Sequence, residues 1–463
     1  MKKVVLINVV GLTPRLIGPH TPYIKDWITK SGLKTIEPVL PAVTCSAQST
    51  YLTGQWPAQH GIVGNGWYFE EECEVKFWRQ SNKLVQSPKI WEVLKNEDPK
   101  FTCANMFWWY NMYSTVDYSV TPRPNYLADG RKIPDIYTYP ADLRDSLQHQ
   151  LGQFPLFNFW GPKTSIKSSQ WIADAAKEVD VKYEPTMTLI YLPHLDYNLQ
   201  RHGIDFEKIG KDLNEIDGVL QDLIEFYENR NVDVMLLSEY GITDVNRAIA
   251  LNRILRKEGL LEVRLERGRE LLDAGASKAF VVADHQIAHV YVKDKTDLDR
   301  VKNILNATDG VEKVLDTEDK SQYHLDHPRS GDLIAVADQN SWFSYYYWLD
   351  DSKAPDFART VDIHRKPGYD PAEMFLNPEI GLPLLQVGYK LIKKKLGFRT
   401  LMDVIPLDDH LIKGSHGRIP ESKQDWPLLA GKIIPDTNPS RDTYSLVPTQ
   451  IFDMLLQYVK GDG

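Results

Sequence analysis

The stretch VVLINVV, residues 4–10, decides the fold class. A short and nearly continuous apolar run rich in β-branched residues is typical of a strand buried on both faces of a parallel sheet. Three later segments have the same character: FTCANMF (101–107), MTLIYL (187–192) and DVMLLS (233–238). Amphipathic stretches separate them, among them residues 88–96 and 206–229. This alternation predicts a doubly wound α/β domain with helices on both faces of a mostly parallel sheet.

The pattern changes between residues 250 and 354. There AHVYV (288–292), a helical pattern over 297–305, VEKVL (311–315) and GDLIAVA (331–337) follow one another in β-α-β-β order. Such an order predicts a small α+β unit. We therefore expect one α/β core built from residues 1–249 and 355–463, interrupted by an inserted α+β cap of residues 250–354. A closing helix is predicted over residues 447–460.

Composition excludes several classes of protein. The chain has 463 residues, with 54 Lys and Arg against 63 Asp and Glu, for a net charge of −9. This balance argues against a nucleic-acid partner, because affinity for a polyphosphate backbone depends on clustered basic residues. The three cysteines form no CxxC pair, which favours a reducing compartment. No apolar run approaches the roughly 18 residues of a membrane span. We predict a cytoplasmic protein.

Polar residues follow the predicted strands at the places where function gathers in open α/β sheets. Thr44 precedes a helix-like segment and can be either a helix cap or a nucleophile. The loop YLPHLDYNLQRHG (191–203) holds carboxylate and imidazole groups, which suit a metal site but are also common on surfaces. SEYG (238–241) and KGSHGRIP (413–420) supply Glu239 and His416. No single one of these segments specifies a chemistry.

Taken in order, the segments PVLPAVT (38–44), HGIVGN (60–65), YLPHLD (191–196), SEYG (238–241) and GSHG (414–417) resemble the alkaline phosphatase superfamily. Within it they are most similar to the nucleotide pyrophosphatase/type I phosphodiesterase branch, over nearly the whole chain. The resemblance implies a fold of alkaline-phosphatase type and two zinc-like ions at the sheet edge. It also implies that a metal-bound threonine attacks phosphorus. Thr44 matches that nucleophile, and Asp196 and His416 match metal ligands.

Other family positions differ in this chain. The first strand ends in Val10-Gly11 where the family has Asp-Gly, although Asn8 shares the strand face of Val10. Gln200 stands for the histidine of DxxxH, and Glu239-Tyr240 stands for Asp-His. We predict a metal set of Asp196, Glu239 and His416, assisted by the replacements His364, His202 and Asn8. The cofactor is one or two divalent ions, zinc by resemblance, with manganese or magnesium also compatible with oxygen ligands.

Substrate contacts are predicted in two segments. Trp108, Trp109 and Tyr110 follow the second strand, where aromatic rings can either pack in the core or stack on an organic group. Arg365 and Lys366, beside His364, can meet an anionic group. We therefore expect a small organic phosphate as the substrate. Asp284-His285 is predicted as a turn before a strand, with a lid contact over the site as the alternative.

The leading hypothesis is a hydrolase that cleaves a phosphodiester or related organic phosphate by metal-assisted attack of Thr44. Because several family ligands are replaced, two alternatives stay open. One is an altered or inactive homologue that binds a phosphorylated ligand, and the other is a phosphoryl or phosphodiester transferase. The sequence does not indicate an oligomeric state.

Overall fold

The computed structural model describes residues 1–128, 131–398, 400–434 and 445–461. Its centre is an eight-stranded sheet whose first strand, Val4–Val9, lies in the interior and is fully buried. In spatial order the strands are Leu33–Thr35, Leu428–Gly431, Asp233–Leu237, Val4–Val9, Met187–Leu192, Cys103–Met106, Tyr118–Pro122 and Ile136–Tyr139.

The sheet is mostly parallel, as the sequence predicts. Val4–Val9 pairs in parallel with Asp233–Leu237 and with Met187–Leu192, and the parallel block continues through Cys103–Met106 to Tyr118–Pro122. The remaining strands at the two edges are antiparallel. All four predicted strands are therefore confirmed, and they are the inner strands because their apolar runs tolerate burial on both faces.

Two groups of helices pack around this sheet. Pro22–Ser31, Ile166–Tyr183 and Phe206–Asn229 contact one another, while Thr44–Thr53, Ile90–Glu97 and Gln450–Lys460 form a second group. The predicted helices at 88–96, 206–229 and 447–460 are confirmed to within a few residues at their ends. The other helices are Pro57–His60, Asp142–Leu151, Leu156–Phe159, His194–His202, Leu251–Lys257, Leu298–Asn306, Thr317–Gln322 and Pro383–Lys395.

The predicted cap contains a four-stranded antiparallel sheet with its own apolar cluster. In spatial order its strands are Ala279–Asp284, Ile287–Val292, Leu333–Ala337 and Val311–Leu315, and Leu298–Asn306 is its helix. The strand Ala279–Asp284 is additional to the predicted β-α-β-β order. It pairs with Ile287–Val292 across a tight turn, so the cap begins with a hairpin. The boundaries at residues 250 and 354 enclose this sheet and remain a prediction.

Five short two-stranded ribbons accompany the two larger sheets in the described residues, and one of them, Arg247–Ile249 with Ser341–Phe343, joins the core to the predicted cap. The pairs are Gly66–Phe69 with Glu74–Phe77, Asn125–Tyr126 with Lys132–Ile133, Thr243–Asp244 with Gly414–Ser415, Arg247–Ile249 with Ser341–Phe343, and Val263–Glu266 with Arg269–Leu272. The third of these matters for function, because it ends directly before His416. In the described part of the chain, no helix combines the length and the apolar character that crossing a membrane requires.

Gly414 lets this ribbon approach the helix His194–His202 closely. A Cβ atom at position 414 would overlap the Leu199 carbonyl oxygen and would also meet the Ile242 side chain. Because Leu199 belongs to the helix that carries Asp196, the close approach couples the position of Asp196 to that of His416. Only glycine, which lacks a Cβ atom, allows this contact.

We expect Gly414→Ala to lower the free energy of unfolding by about 1–3 kcal/mol, because overpacking forces backbone shifts. Urea unfolding followed by circular dichroism measures the change. The matched control is Gly218→Ala on the exposed face of Phe206–Asn229, where an added Cβ meets nothing within 4 Å. That variant should gain up to about 1 kcal/mol from the higher helix propensity of alanine. Equal unfolding midpoints for Gly414→Ala and the wild type would contradict the close packing.

Candidate functional site

A cluster of buried polar side chains lies at the carboxyl edge of the sheet. The helix His194–His202 starts just after the strand Met187–Leu192, and Glu239 follows the strand Asp233–Leu237. These strands flank Val4–Val9 on either side, so the segments that follow them meet at one edge. Thr44, Asp196, Glu239 and His416 are all buried there. The structure thus brings together the four residues that the sequence places at the centre of its predicted site.

Thr44 is the first residue of the helix Thr44–Thr53 and does not cap it. The N-cap position belongs to Val43, and no side chain makes a capping hydrogen bond. The Thr44 hydroxyl instead lies 3.3 Å from the hydroxyl oxygen of Tyr240. It also faces the carboxyl group of Glu239 and acts to lower the pKa of that group. The capping alternative is therefore excluded, and the hydroxyl faces two titratable groups.

Glu239 is a fully buried carboxyl group held by two amides. Its Oε1 accepts hydrogen bonds from Asn8 Nδ2 and Gln48 Nε2, each at 2.5 Å. The Trp109 backbone N–H donates to Gln48 Oε1 at 2.7 Å, which orients the Gln48 amide with its nitrogen toward Glu239. Burial raises the pKa of Glu239 to about 8, although hydrogen bonds from Gln48, Asn8 and Thr44 oppose the shift.

Asp196 is also held by neutral donors. Its Oδ2 accepts from Gln200 Nε2 at 2.8 Å and its Oδ1 accepts from the Tyr240 hydroxyl at 3.1 Å. Burial raises the pKa of Asp196 to about 6. Tyr240 therefore lies between Asp196 and Thr44, in the position where the family resemblance would place a histidine ligand. The hydroxyl of Tyr369, a residue that no sequence pattern selects, donates to Gln200 Oε1 at 2.8 Å.

His202 does not lie with this group. His202 follows Asp196 by six residues on one helix, so the two side chains are separated by about 240° around the helix axis. Gln200 follows Asp196 by four residues and therefore lies on the same face of the helix as Asp196. The charged groups acting on His202 are Arg201, Lys208 and Asp205. The predicted replacement of the missing imidazole by His202 is not supported, because the segment continues as a regular helix instead of curling back.

His416 presents a free nitrogen to Asp196. Its Nδ1 lies 2.7 Å from the Ala42 carbonyl oxygen, so the proton is on Nδ1 and the lone pair is on Nε2. Nε2 is buried without a hydrogen-bond partner and lies 3.9 Å from Asp196 Oδ1. The ring stacks on Tyr240 with centroids 3.6 Å apart. The backbone contact with Ala42 fixes the orientation that a metal-binding imidazole needs.

The hairpin of Ala279–Asp284 and Ile287–Val292, which lies in the predicted cap, contacts the site through its turn. The ring of His285 lies 3.7 Å from that of His416 and 3.6 Å from that of Tyr369, measured between centroids. Asp284 accepts hydrogen bonds from the backbone N–H of Asn65 at 2.8 Å and from its side-chain amide at 3.1 Å. Asn65 Oδ1 in turn accepts from the backbone N–H of Cys45, next to Thr44. Asp284 ends a strand and His285 begins the turn that contacts the site, while a lid role for this turn remains a prediction.

The segment that supplies His364, Arg365 and Lys366 is not part of this cluster. His364 is exposed, and the charges acting on it are Lys132, Arg79 and Arg123. Lys366 is buried between Asp370 and Glu373, at 2.7 Å from each. Arg365 is exposed, 3.4 Å from Asp356. The predicted substrate contacts of Arg365 and Lys366 and the predicted ligand role of His364 are not supported, because these side chains already have other surroundings.

Of the three aromatic residues predicted to bind substrate, one contacts the site. Trp108 is fully buried and donates from Nε1 to the Ile190 carbonyl oxygen, so it is a core residue. Tyr110 packs in a separate apolar cluster with Cys45, Ile62 and Trp67. Trp109 is half-buried, binds Gln48 through its backbone N–H and lies 5.0 Å from Trp78 between ring centroids. Packing therefore accounts for the positions of Trp108 and Tyr110, and only Trp109 contacts the site.

The site has unused lone pairs that fit a divalent cation. Asn8 Oδ1, Glu239 Oε2 and His416 Nε2 are buried, and none has a hydrogen-bond partner. All three atoms are electron-pair donors in the region where the resemblance implies metal. They do not form one closed ligand group, however. In the part of the chain that the structure describes, only His194, Asp212 and Glu215 bring three His, Cys, Asp or Glu ligand atoms within 4.8 Å of one another.

Comparisons with known proteins agree with this architecture. The structure of murine ectonucleotide pyrophosphatase/phosphodiesterase 5 aligns with a TM-score of 0.60 and 16% identity, covering 99% of this chain and 95% of that one. Phosphonoacetate hydrolase from Sinorhizobium meliloti in complex with phosphonoacetate aligns with a TM-score of 0.63 and 14% identity, covering 99% and 96%. These alignments show that the chain shares the fold of these two proteins.

Comparison of the amino-acid sequence identifies the family as well as the fold. Ectonucleotide pyrophosphatase/phosphodiesterase 2 of Saccharomyces cerevisiae is 24% identical over 263 residues, covering 52% of this chain and 48% of the relative. Ectonucleotide pyrophosphatase/phosphodiesterase 1 of the same yeast is 21% identical over 353 residues, covering 69% and 45%. The chain thus spans less than half the length of each of these relatives. The profile of the family described as type I phosphodiesterase/nucleotide pyrophosphatase matches residues 4–370. The chain therefore belongs to the type I phosphodiesterase/nucleotide pyrophosphatase family.

Proposed function

We propose that the chain hydrolyses a phosphodiester or related organic phosphate, with Thr44 as the covalent nucleophile. The observation that carries this proposal is the environment of the Thr44 hydroxyl. It lies at the start of a buried helix without a capping role and faces Glu239 and Tyr240. Membership of a phosphodiesterase family supports the same chemistry.

The first turn of the helix Thr44–Thr53 suits an anionic substrate. Backbone N–H groups at a helix N-terminus carry a partial positive charge and favour phosphate groups. Thr44 occupies the first helical position, so a phosphoryl group bound there meets its hydroxyl. The helix supplies a local positive potential in a chain whose net charge is −9.

The carboxylate form of Glu239 is the group that receives the Thr44 proton in this proposal. Because burial raises the pKa of Glu239 to about 8, this form is reached as the pH approaches 8 or when a bound cation lowers the pKa. As the Thr44 Oγ–P bond forms, the proton moves to the Glu239 carboxylate, and the bond from phosphorus to the leaving oxygen breaks. The leaving oxygen departs as an anion and takes a proton from solvent. Water then attacks phosphorus and gives one proton to solvent, the Oγ–P bond breaks, and Glu239 returns its proton to Thr44 Oγ. Tyr240 hydrogen-bonds Asp196 and lies against Thr44, so it keeps both groups in place through the two steps.

A divalent cation would be held by the atoms that lack hydrogen-bond partners. These atoms are Asn8 Oδ1, Glu239 Oε2 and His416 Nε2. Asp196, whose oxygens accept hydrogen bonds from Gln200 and Tyr240, would join them from beside His416. When bound, such an ion supplies Lewis-acid stabilisation of the charge that develops on phosphate oxygens. The amide and carboxylate oxygens favour Mg²⁺ or Mn²⁺, whereas His416 and the family resemblance favour Zn²⁺.

A nucleotide is the substrate class that we favour among organic phosphates. Trp109 and Trp78 form an aromatic pair, and Trp109 is joined to Gln48 next to Thr44. Such rings can stack on a base. The solved structure of an inactive murine ectonucleotide pyrophosphatase/phosphodiesterase 5 contains AMP, and it aligns over 99% of this chain. A cytoplasmic location and any transferase activity remain predictions from the sequence.

A binding role without turnover is the second candidate. Gln48, Gln200 and Asn8 place amide N–H groups on the two carboxylates, where the resemblance implies cations. A chain whose carboxylates are satisfied in this way can retain the cleft and lose the reaction. Measuring turnover and nucleotide binding on one preparation separates the two candidates.

We expect Thr44→Ala to reduce kcat/KM for bis(p-nitrophenyl) phosphate by at least about 10³-fold, because the nucleophile is lost. Assays with Mn²⁺, with Zn²⁺ and after chelation identify the metal requirement. Thr53→Ala is the matched control, since its hydroxyl bonds only within and just beyond the same helix. Wild-type activity in Thr44→Ala would contradict the nucleophile. AMP binding without turnover in every metal would establish the second candidate.

We expect Glu239 to make the stability of the metal-free protein depend on pH. Its folded pKa of about 8 exceeds the ordinary value of 4.5, so its stabilising contribution is complete below about pH 4.5. That contribution is lost as the pH rises toward 8, because the unfolded chain releases the proton first. Urea unfolding in the presence of a chelator should show wild type losing stability relative to Glu239→Gln across this interval. A difference in unfolding free energy between wild type and Glu239→Gln that stays constant from pH 4.5 to 8 would contradict the raised pKa of Glu239.

A further inference from the structure

We propose that His194, Asp212 and Glu215 form a second site, outside the Thr44 site, that binds one divalent transition-metal ion. His194 is the first residue of the helix His194–His202, and the two carboxylates are on the helix Phe206–Asn229. The ion would join the two helices. The site needs no assumption about catalysis by Thr44.

The geometry suits a single ion. His194 Nε2 lies 3.3 Å from Asp212 Oδ1 and 3.3 Å from Glu215 Oε2. All three residues offer ligand atoms within 4.8 Å of one another. Ligands bound to one Zn²⁺ at about 2.0–2.2 Å are separated by about 3.0–3.4 Å at tetrahedral or octahedral angles. The spacing between the imidazole and each carboxylate falls in this range.

The buried and unpaired ring nitrogens of His194 support the proposed ion. The residue is 1% exposed, yet neither of its ring nitrogens has a hydrogen-bond partner. Buried polar groups are normally paired, because an unpaired one loses its contact with water without compensation. An imidazole directed at two carboxylates without hydrogen-bonding either of them has the arrangement of a metal ligand.

The charges around the site also favour a cation. Lys211 lies 3.4 Å from the other oxygen of Glu215, but it is exposed to solvent. The Arg201 guanidinium donates its hydrogen bonds to the carbonyl oxygens of Met374 and Gly161 and to Thr164 and Asn198, so it reaches Asp212 only through its charge and not through a hydrogen bond. The Asn198 amide donates to Asp212 Oδ1 at 2.7 Å and so orients that carboxylate. A bound divalent ion would offset the two negative charges.

The ligand set indicates the class of metal and its route of entry. One imidazole nitrogen and two carboxylate oxygens suit Zn²⁺ or Mn²⁺ better than Ca²⁺, which prefers oxygen alone. The Glu215 side chain is 30% exposed, so an ion can enter from that side and keep water as its remaining ligand. Because His194 precedes Asp196 by two residues, the bound ion would hold the start of the helix that carries Asp196.

The test counts bound ions in the full chain. Calorimetric titration with Zn²⁺ and with Mn²⁺, combined with elemental analysis after dialysis, gives the number of ions and their Kd. We expect Glu215→Gln and Asp212→Asn each to lose one ion per chain or to weaken it by at least about 10-fold. Glu225→Gln, an exposed carboxylate on the same helix, is the matched control and should bind as wild type does.

Thermal unfolding provides a readout that does not depend on activity. Metal at 100 times its Kd should raise the Tm of wild type by a few degrees, about 2–4 °C, and this rise should shrink in Glu215→Gln. Glu215 is partly exposed, so this variant should fold even if a His194 variant does not. The same ion count and Tm rise in Glu215→Gln and Asp212→Asn as in wild type would overturn the proposal. The proposal would also be overturned if Glu239→Gln lost every bound ion while Glu215→Gln and Asp212→Asn bound as many ions as wild type. Loss of activity in Thr44→Ala bears only on the proposed hydrolysis.

Discussion

The burial of the Glu239 carboxyl group is the constraint on which the site depends. Removing a carboxylate from water costs several kcal/mol unless charge or hydrogen bonds compensate it. Here the compensation comes from the amides of Asn8 and Gln48, and the Gln48 amide is held in turn by the backbone of Trp109. One buried group therefore connects the first strand, the Thr44 helix and the segment after the second predicted strand.

This arrangement explains how the chain departs from its family while keeping the family's fold. Where the resemblance implies aspartate and histidine ligands, the chain has amides and a phenol that hydrogen-bond the remaining carboxylates. The Tyr240 hydroxyl and the Gln200 amide satisfy both oxygens of Asp196. The lone pairs of His416 Nε2 and Glu239 Oε2 stay unused. The site can thus exist in a hydrogen-bonded form and still offer ligands to a cation.

The predicted cap also contacts the site directly through the turn of its first hairpin. Asp284 binds Asn65, and Asn65 binds the backbone N–H of Cys45, so the cap hairpin is tied to the first turn of the Thr44 helix. The His285 ring, in the same turn, lies beside the His416 ring. Sequence patterns could indicate the turn, since Asp and His stand between two apolar runs. They could not indicate these contacts, because the partners are 219 and 131 residues away along the chain.

The sequence by itself determined the fold class and the inner strands, because strand periodicity is a local property of the chain. The order of its motifs selected Thr44, Asp196, Glu239 and His416, whose roles remain predictions. The tertiary structure alone decided which other side chains join them. Helix geometry turns His202 away from Asp196, ion pairs hold Lys366 between Asp370 and Glu373, and core packing encloses Trp108. Tyr369 and the trio of His194, Asp212 and Glu215 became visible only in three dimensions. The physical reason is that these roles depend on distances between segments remote in sequence, which no local pattern records.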